Sequence, residues 1–268
     1  MQMVTNTFTQ ALANKQKQIG IWISMCSNVV VDVISPAGYD WAVIDMEHTA
    51  NDYLSVLSQL QAFAASNTVP IVRVEWNDAV AVKRLLDIGA PGLIFPMIGS
   101  VEEAQKAIAS TRYPPKGIRG FSGVTRASHY GRVTDYLDRV EDELTIILQL
   151  ETQDAMEQAL DIAAVDGVDG IFFGPADIAA DVGQLGKPME PTVWKVVKPV
   201  AQKLIAQGVP VGTLVMDPDF ATELLNEGFT FVACATDAFL LAKASDSLLA
   251  KVKSGLAEVS PPNERKTK

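Results

Sequence analysis

Eight short apolar runs, rich in β-branched residues, recur along this chain, and most are followed by a stretch whose apolar residues return at helical spacing. That alternation is the pattern of repeated βα units around a parallel sheet whose strands are buried on both faces. The candidate strands are 18–25, 41–47, 69–75, 92–98, 143–151, 168–175, 209–215 and 229–237. The candidate crossover helices are 52–65, 79–88, 101–109, 152–164, 193–207 and 219–226. Gly38, Gly89, Gly167, Gly208 and Gly228 each stand shortly before a strand, where the end of a helix needs a residue that tolerates positive φ. Eight is the number at which such strands close, so the expected fold is a single-domain (β/α)8 TIM barrel over 1–253. The longest interruption, 112–139, is rich in Gly, Pro, Arg, Ser and Tyr and is expected as a long loop on the active face. A second break, 181–191, follows the sixth strand, and a polar tail, 254–268, is expected to be disordered.

The length of 268 residues, 48% of them hydrophobic, suffices for such a core. A formal charge of −10, with no basic run before the last few residues, argues against nucleic acid as a partner. Residues 1–18 lack the apolar stretch of a signal peptide, and nothing approaches the roughly 20 apolar residues of a membrane span. A soluble, cytoplasmic protein is expected. Cys26 and Cys234 lie in apolar runs without the spacing of a zinc or redox motif and are read as buried, reduced thiols.

In a TIM barrel the chemistry sits at the C-terminal ends of the strands, so the polar residues that end these runs carry the functional reading. The second run ends in Asp45, Glu47 and His48, the third carries Arg73 and Glu75, the fifth ends in Gln149 and Glu151, and the sixth leads to Gly174-Pro175-Ala176-Asp177. Gln149 and Glu151 are two apart and point to the same side of a strand. Carboxylates from two adjacent strand ends, Glu151 and Asp177, suit a hard divalent cation such as Mg²⁺ or Mn²⁺ with positions left open for substrate. Taken singly, either residue could instead cap a helix, Glu151 at the segment from Thr152 and Asp177 at its own short helix. His48, with Asp45 three residues earlier, reads as a base with an orienting carboxylate, or as a structural histidine. Arg73 in an apolar strand needs an anionic partner: a substrate oxyanion, Glu75 or Asp45. The amides of Ala176 and Asp177 could grip a carboxylate. The ends of strands seven and eight lack a glycine-rich phosphate cradle, which argues against a phosphate ester, and no strand ends in the lysine of a Schiff-base aldolase.

Several ordered stretches resemble the HpcH/HpaI aldolases, metal-dependent class II pyruvate aldolases, across 7–251. They are Gly38-Tyr39-Asp40-Trp41 with Ile44-Asp45-Met46-Glu47-His48, 70–73, Leu85-Leu86-Asp87-Ile88-Gly89-Ala90, and Thr111-Arg112-Tyr113-Pro114-Pro115 with Gly117-Ile118-Arg119-Gly120. Gln149-Leu150-Glu151-Thr152 and Gly167-Val168-Asp169-Gly170 running on to Gly174-Pro175-Ala176-Asp177 complete the set. The resemblance implies that Glu151 and Asp177 ligate a divalent metal (Mg²⁺, Mn²⁺ or Co²⁺) that binds a 2-oxo acid, and that Arg73 stabilises the enolate. It further implies that His48, paired with Asp45, acts through water on the C4 hydroxyl, that Gln149 touches the pyruvate half, and that the Ala176 and Asp177 amides hold its carboxylate. The implied reaction is reversible cleavage of a 4-hydroxy-2-oxo acid to pyruvate and an aldehyde, with 4-hydroxy-2-oxoheptane-1,7-dioate giving succinate semialdehyde as the first choice. A 2-keto-3-deoxy sugar acid is the alternative substrate; a citrate-lyase-like acyl-CoA lyase and a non-catalytic carboxylate-binding barrel are the competing functions. By the same resemblance the chain is expected to form a homo-oligomer, a hexamer with C-terminal helices swapped between subunits. The departures from the family, Val74-Glu75-Trp76, Phe121-Ser122-Gly123-Val124 and Ser128-His129-Tyr130, are expected to shape the aldehyde pocket.

Overall fold

The computed structural model describes residues 1–257. In chain order the elements are α1 (Thr7–Ala13), β1 (Gln18–Ile23), α2 (Asn28–Ile34), β2 (Trp41–Asp45), α3 (Tyr53–Phe63), β3 (Val69–Arg73), α4 (Ala79–Asp87), β4 (Gly92–Phe95) and α5 (Val101–Thr111). There follow α6 (Tyr136–Arg139), β5 (Thr145–Leu150), α7 (Gln153–Glu157), α8 (Ala159–Ala163), β6 (Gly170–Phe173), α9 (Pro175–Asp181), α10 (Pro191–Ala206), β7 (Val211–Leu214), α11 (Pro218–Asn226), β8 (Phe231–Thr236) and α12 (Asp237–Ala257). The strands are parallel in sequence order, and β8 pairs back onto β1 to close the barrel. The eight expected runs each contain a strand. They overshoot at the ends because apolar residues continue to pack after the hydrogen-bonded ladder stops, as buried Met46, Val74 and Ile98 do.

Two-residue periodicity decides which side chains meet inside the barrel. Ala42 and Ile44 of β2 pack outward against the helical layer, whereas Trp41 and Val43 join the interior cluster with Trp22, Ile71, Ile94, Ile147, Phe172 and Phe231. The same parity turns Asp45, Arg73, Gln149 and Glu151 inward at the C-terminal mouth. The opposite mouth is plugged by α1: Phe8 stacks on Trp41 with ring centroids 5.3 Å apart and meets Phe231 edge-on. Asn6 caps α1 by accepting from the amides of Phe8 and Thr9, and its Nδ2 donates to the carbonyls of Pro91 and Glu143. Gly20 leaves room for this plug, since a Cβ there would lie about 2.3 Å from the Trp41 indole.

Three expectations are corrected. The 112–139 segment lies on the N-terminal face, opposite the strand ends that bear the carboxylates. It follows α5, which has already carried the chain back to the side where β5 begins, and it is fastened there by bonds from Arg126 Nη1 to the Ile88 carbonyl (2.8 Å) and from Arg139 Nη1 to the Met3 carbonyl (2.9 Å). Phe121, Val124, His129 and Tyr130 therefore do not line the mouth of their own barrel. The expected helix over 152–164 is two short helices, α7 and α8. Helix α12 continues to Ala257, past the expected boundary at 253; of the expected disordered tail, 258–268 lies outside the described residues. Gly38, Gly89, Gly167, Gly208 and Gly228 all have positive φ, as the helix-end reading requires. Cys26 and Cys234 are free and only half-buried. Among the described residues no helix is long and apolar enough to cross a membrane.

Candidate active site

Asp45 and Arg73 end neighbouring strands and face each other in the β2–β3 register. Arg73 Nε donates to Asp45 Oδ1 and Nη2 to Asp45 Oδ2, both at 2.8 Å, a fork that fixes the guanidinium plane. The third nitrogen, Nη1, forms an ion pair at 2.7 Å with Glu47 Oε2. The Trp22 indole lies against the guanidinium, 4.9 Å from Cζ to the ring centroid. Burial opposes the charge on Arg73, but Asp45, Glu47 and Glu151 outweigh it and hold the group above the usual arginine range. Asp45 also accepts the backbone N–H of Glu47 at 3.1 Å, so one carboxylate organises both the arginine and the strand-end turn.

Glu151, just past β5, is 2% exposed. Its Oε1 accepts from Gln149 Nε2 at 2.6 Å and its Oε2 from the Met97 amide at 2.7 Å. Met97 takes a φ of 53°, uncommon for a side-chain-bearing residue, while delivering that N–H. Burial pushes the Glu151 carboxyl up to about 7; the two hydrogen bonds pull it down, and the charges of Glu47 and Asp177 push it up again. Glu47 is likewise raised, first by burial, with Arg73 and His48 opposing and Asp45 and Asp177 adding to the rise. Three carboxylates, Glu47, Glu151 and Asp177, thus feel one another in one mouth. Gly174 preserves the space beside them: a Cβ there would sit about 2.7 Å from Glu151 Oε1.

Neither helix-capping alternative holds. Thr152 is the N-cap of α7, its hydroxyl accepting from the Ala155 amide, and Gly174 is the N-cap of α9, with Asp177 in the first turn. Because Pro175 begins α9, the Ala176 and Asp177 amides fall among the helix-end donors that lack an intrahelical acceptor. His48 is not paired with Asp45, whose oxygens are taken by Arg73 and the Glu47 amide; the imidazole is 64% exposed, with Nε2 3.9 Å from Glu47 Oε1. Glu75 is exposed and makes no ion pair with Arg73 among the described residues. Sequence reasoning assigned no role to Glu47, although its two-residue spacing from Asp45 was visible, and it missed Trp22 and the Met97 amide, which no linear motif marks.

The donor set fits a hard divalent cation. Each Glu151 oxygen keeps a lone pair after its one hydrogen bond, Asp177 is exposed beside it, and all the donors are oxygen. Among the described residues no group of three or more His, Cys, Asp or Glu side chains forms a complete metal cage, so water and substrate oxygens would supply the other positions.

Comparison with known proteins shows the family. Residues 18–244 match the family model described as HpcH/HpaI aldolase/citrate lyase. The chain is 40% identical over 257 residues to the 4-hydroxy-2-oxo-heptane-1,7-dioate aldolase of Shigella sonnei (strain Ss046), covering 96% of this chain and 98% of that protein. It is 41% identical over 251 residues to the pyruvate aldolase of Rhizobium etli, covering 94% and 99%. An HpcH/HpaI aldolase/citrate lyase family protein from Burkholderia cenocepacia J2315 superimposes with a TM-score of 0.89 at 36% identity, over 93% of this chain and 100% of that one. The chain belongs to the HpcH/HpaI aldolase/citrate lyase family.

Proposed function

We propose that this protein is a divalent-metal-dependent aldolase that reversibly cleaves 4-hydroxy-2-oxo acids to pyruvate and an aldehyde, with 4-hydroxy-2-oxoheptane-1,7-dioate, yielding succinate semialdehyde, as its substrate. The observation that carries this reading is the buried Glu151 carboxylate, fixed by Gln149 and the Met97 amide beside Glu47 and Asp177, within the same mouth as an Arg73 locked by its fork to Asp45. A carboxylate cluster of this kind is stabilised by a cation, and the guanidinium supplies a fixed positive charge for an oxyanion. The names of the relatives support the substrate class.

Glu151 and Asp177 would hold the metal, Mg²⁺, Mn²⁺ or Co²⁺, whose contribution when bound is Lewis-acid polarisation of the 2-oxo group. The amides of Ala176 and Asp177 take the substrate carboxylate. Gln149 directs its N–H to Glu151 and keeps Oε1 buried without a partner among the described residues, free to accept from a water beside the pyruvate half. His48, exposed at the rim, accepts the C4 hydroxyl proton through water. The C3–C4 bond then breaks, the aldehyde leaves, and its electron pair becomes the pyruvate enolate, stabilised at its oxygen by Arg73 and finally protonated at C3. Asp45 acts through Arg73 and not through His48.

A coupled pyruvate-release assay on metal-stripped protein, with Mg²⁺, Mn²⁺ or Co²⁺ restored and several 4-hydroxy-2-oxo acids offered, tests the proposal. Metal-dependent release, fastest with the dioate, is expected. Faster turnover of a 2-keto-3-deoxy sugar acid would overturn the substrate, cleavage of a CoA ester without free pyruvate would overturn the reaction, and no turnover with any metal would overturn the enzyme.

A further inference from the structure

Residues 46–52 lead from β2 to α3 and carry Glu47 and His48 to the mouth of the barrel. Their base is tied by side chains to a single backbone atom. The Asp45 carbonyl accepts from Thr49 Oγ1 at 2.5 Å and from Asn51 Nδ2 at 2.7 Å. Thr49 Oγ1 also accepts the Asn51 amide at 3.2 Å, which closes the loop on itself. Helix α3 holds Asn51 from behind: Asn51 Oδ1 accepts from Gln59 Nε2 at 2.7 Å and from Ser55 Oγ at 2.8 Å, and Gln59 Nε2 donates again to the Ser55 carbonyl at 3.0 Å.

Backbone carbonyls stand at both ends of this chain, and carbonyls only accept. The Ser55 carbonyl needs Nε2 of Gln59, and the Asp45 carbonyl needs Nδ2 of Asn51, so Oδ1 of Asn51 must face Gln59 and each amide has one orientation. Gln59 is fully buried, the polar exception on an inner face of α3 otherwise made of Val56, Leu60 and Phe63, and Asn51 is 7% exposed. Apolar side chains of the same shape would pack this helix on the barrel with little loss of stability, so stability does not account for the network. A buried polar network does rigidify what it holds. Asp45 itself is already fixed by the β2–β3 register and by its fork to Arg73. What Asn51 adds is control of the loop. The exposed His48 imidazole lies with Nε2 3.9 Å from Glu47 Oε1, beyond hydrogen-bond reach, so its place depends on the loop that bears it.

We propose that Asn51, braced by Gln59, is a positioning residue for aldol cleavage: it pins the 46–52 loop to the Asp45 carbonyl and so holds His48 where the C4 hydroxyl proton must go. The inference rests on the aldolase reading and on the role given there to His48. Without the Asn51 bond, Arg73 keeps its fork and the enolate side of the reaction keeps its machinery, while the proton-accepting side loses its geometry.

Asn51→Leu, which keeps the side-chain size and adds no charge, tests the proposal in steady-state kinetics with metal restored. The kcat for cleavage of 4-hydroxy-2-oxoheptane-1,7-dioate should fall about tenfold or more, and that for decarboxylation of oxaloacetate, which has no hydroxyl proton to remove, by less than about threefold. In the His48→Ala background the same substitution should add little further loss of cleavage, because no imidazole remains to be positioned. Thr49→Val removes the loop's other bond to the carbonyl at a half-buried position. It should shift the ratio of the two activities the same way, and it keeps the test open if Asn51→Leu does not fold. Equal losses in both reactions, a loss in the His48→Ala background as large as in the wild type, or unchanged cleavage would each make Asn51 structural and overturn the proposal. Wild-type protein that turns over neither substrate with any metal would overturn the aldolase reading itself, and this inference with it.

Discussion

Asp45 and Arg73, opposite each other at the ends of β2 and β3, are joined by two parallel hydrogen bonds of 2.8 Å, from Nε to Oδ1 and from Nη2 to Oδ2. With Glu47 on the remaining nitrogen and the Trp22 ring against Cζ, the guanidinium has essentially one orientation. Charge that is positioned before the reaction costs no reorganisation when the enolate forms. Arg73→Ala should therefore slow pyruvate release on the order of 10²-fold or more. Arg73→Lys should recover little, because one ammonium cannot reproduce the fork to Asp45 while reaching Glu47. Steady-state kinetics and exchange of the pyruvate methyl protons into D2O check this; wild-type exchange in Arg73→Ala would remove the arginine from the enolate step.

In the proposed reaction His48 and Asp45 act on different parts, since Asp45 is engaged by Arg73 and His48 stands at the exposed rim. His48→Ala should lose more activity in aldol cleavage than in decarboxylation of oxaloacetate, which has no hydroxyl proton to remove. Asp45→Asn should slow both reactions alike, by about tenfold or more, because it loosens the shared arginine. The ratio of the two activities in each variant is the measurement. A parallel ratio in both variants would restore the pairing of His48 with Asp45.

How far these relationships were legible in the sequence follows from their range. The strands could be read because burial on both faces leaves a continuous apolar run, and the inward parity of Gln149 and Glu151 followed from their spacing. The partner of Arg73 could not be chosen, because Glu75 is its near neighbour in the chain and only the β2–β3 register brings the distant Asp45 opposite. Helices α1 and α12 escaped the reading by periodicity for opposite reasons, the C-terminal helix being expected only from the family resemblance. Helix α1 is seven residues long and is held by the barrel mouth it plugs, whereas α12 leans on β1 and β8 only at its start. The long 112–139 segment was assigned to the wrong face because its length suggested function. The direction of α5, which decides the face, was overlooked.

Gly174 should be intolerant of any side chain. A Cβ would lie about 2.7 Å from Glu151 Oε1 and 2.8 Å from its Cγ, so Gly174→Ala must turn the carboxylate out of its bonds to Gln149 and Met97. Mn²⁺ affinity, followed by electron paramagnetic resonance, should fall roughly 10- to 100-fold with the fold intact by circular dichroism. Unchanged Mn²⁺ affinity would show that Glu151 is not a ligand or that the loop gives way freely.

Asp169 gives the fold a pH dependence remote from the active site. Burial pushes its carboxyl up to about 6, although the Ile146 amide at 2.6 Å and nearby Arg112 pull the other way. A folded value above the unfolded one means that stability is full below about pH 4 and is lost as the pH rises through 6, by up to about 3 kcal/mol. Asp169→Asn keeps an acceptor for Ile146 without the charge. It should melt close to the wild type at pH 4.5 and several degrees higher at pH 7.5. The same difference at both pH values would mean that ionisation of Asp169 is not the cause.

An uncovered apolar stripe runs along α12, where Leu241, Leu248, Val252 and Leu256 recur at helical spacing and are 56%, 66%, 53% and 70% exposed in the single chain. A solvent-facing helix has no reason to keep such a stripe, and burying each of these side chains is worth roughly 1.5–3 kcal/mol before ordering costs. The stripe therefore supports assembly through α12 with further copies of the chain, in line with the expected hexamer. Light scattering after gel filtration should give a multiple of the 28.9 kDa chain mass, six being the expected number. Leu248→Asp with Val252→Asp should dissociate the assembly, because two carboxylates would have to be desolvated in its centre. A wild-type protein that runs as a single chain, or a double variant that assembles as the wild type does, would leave the stripe to another occupant.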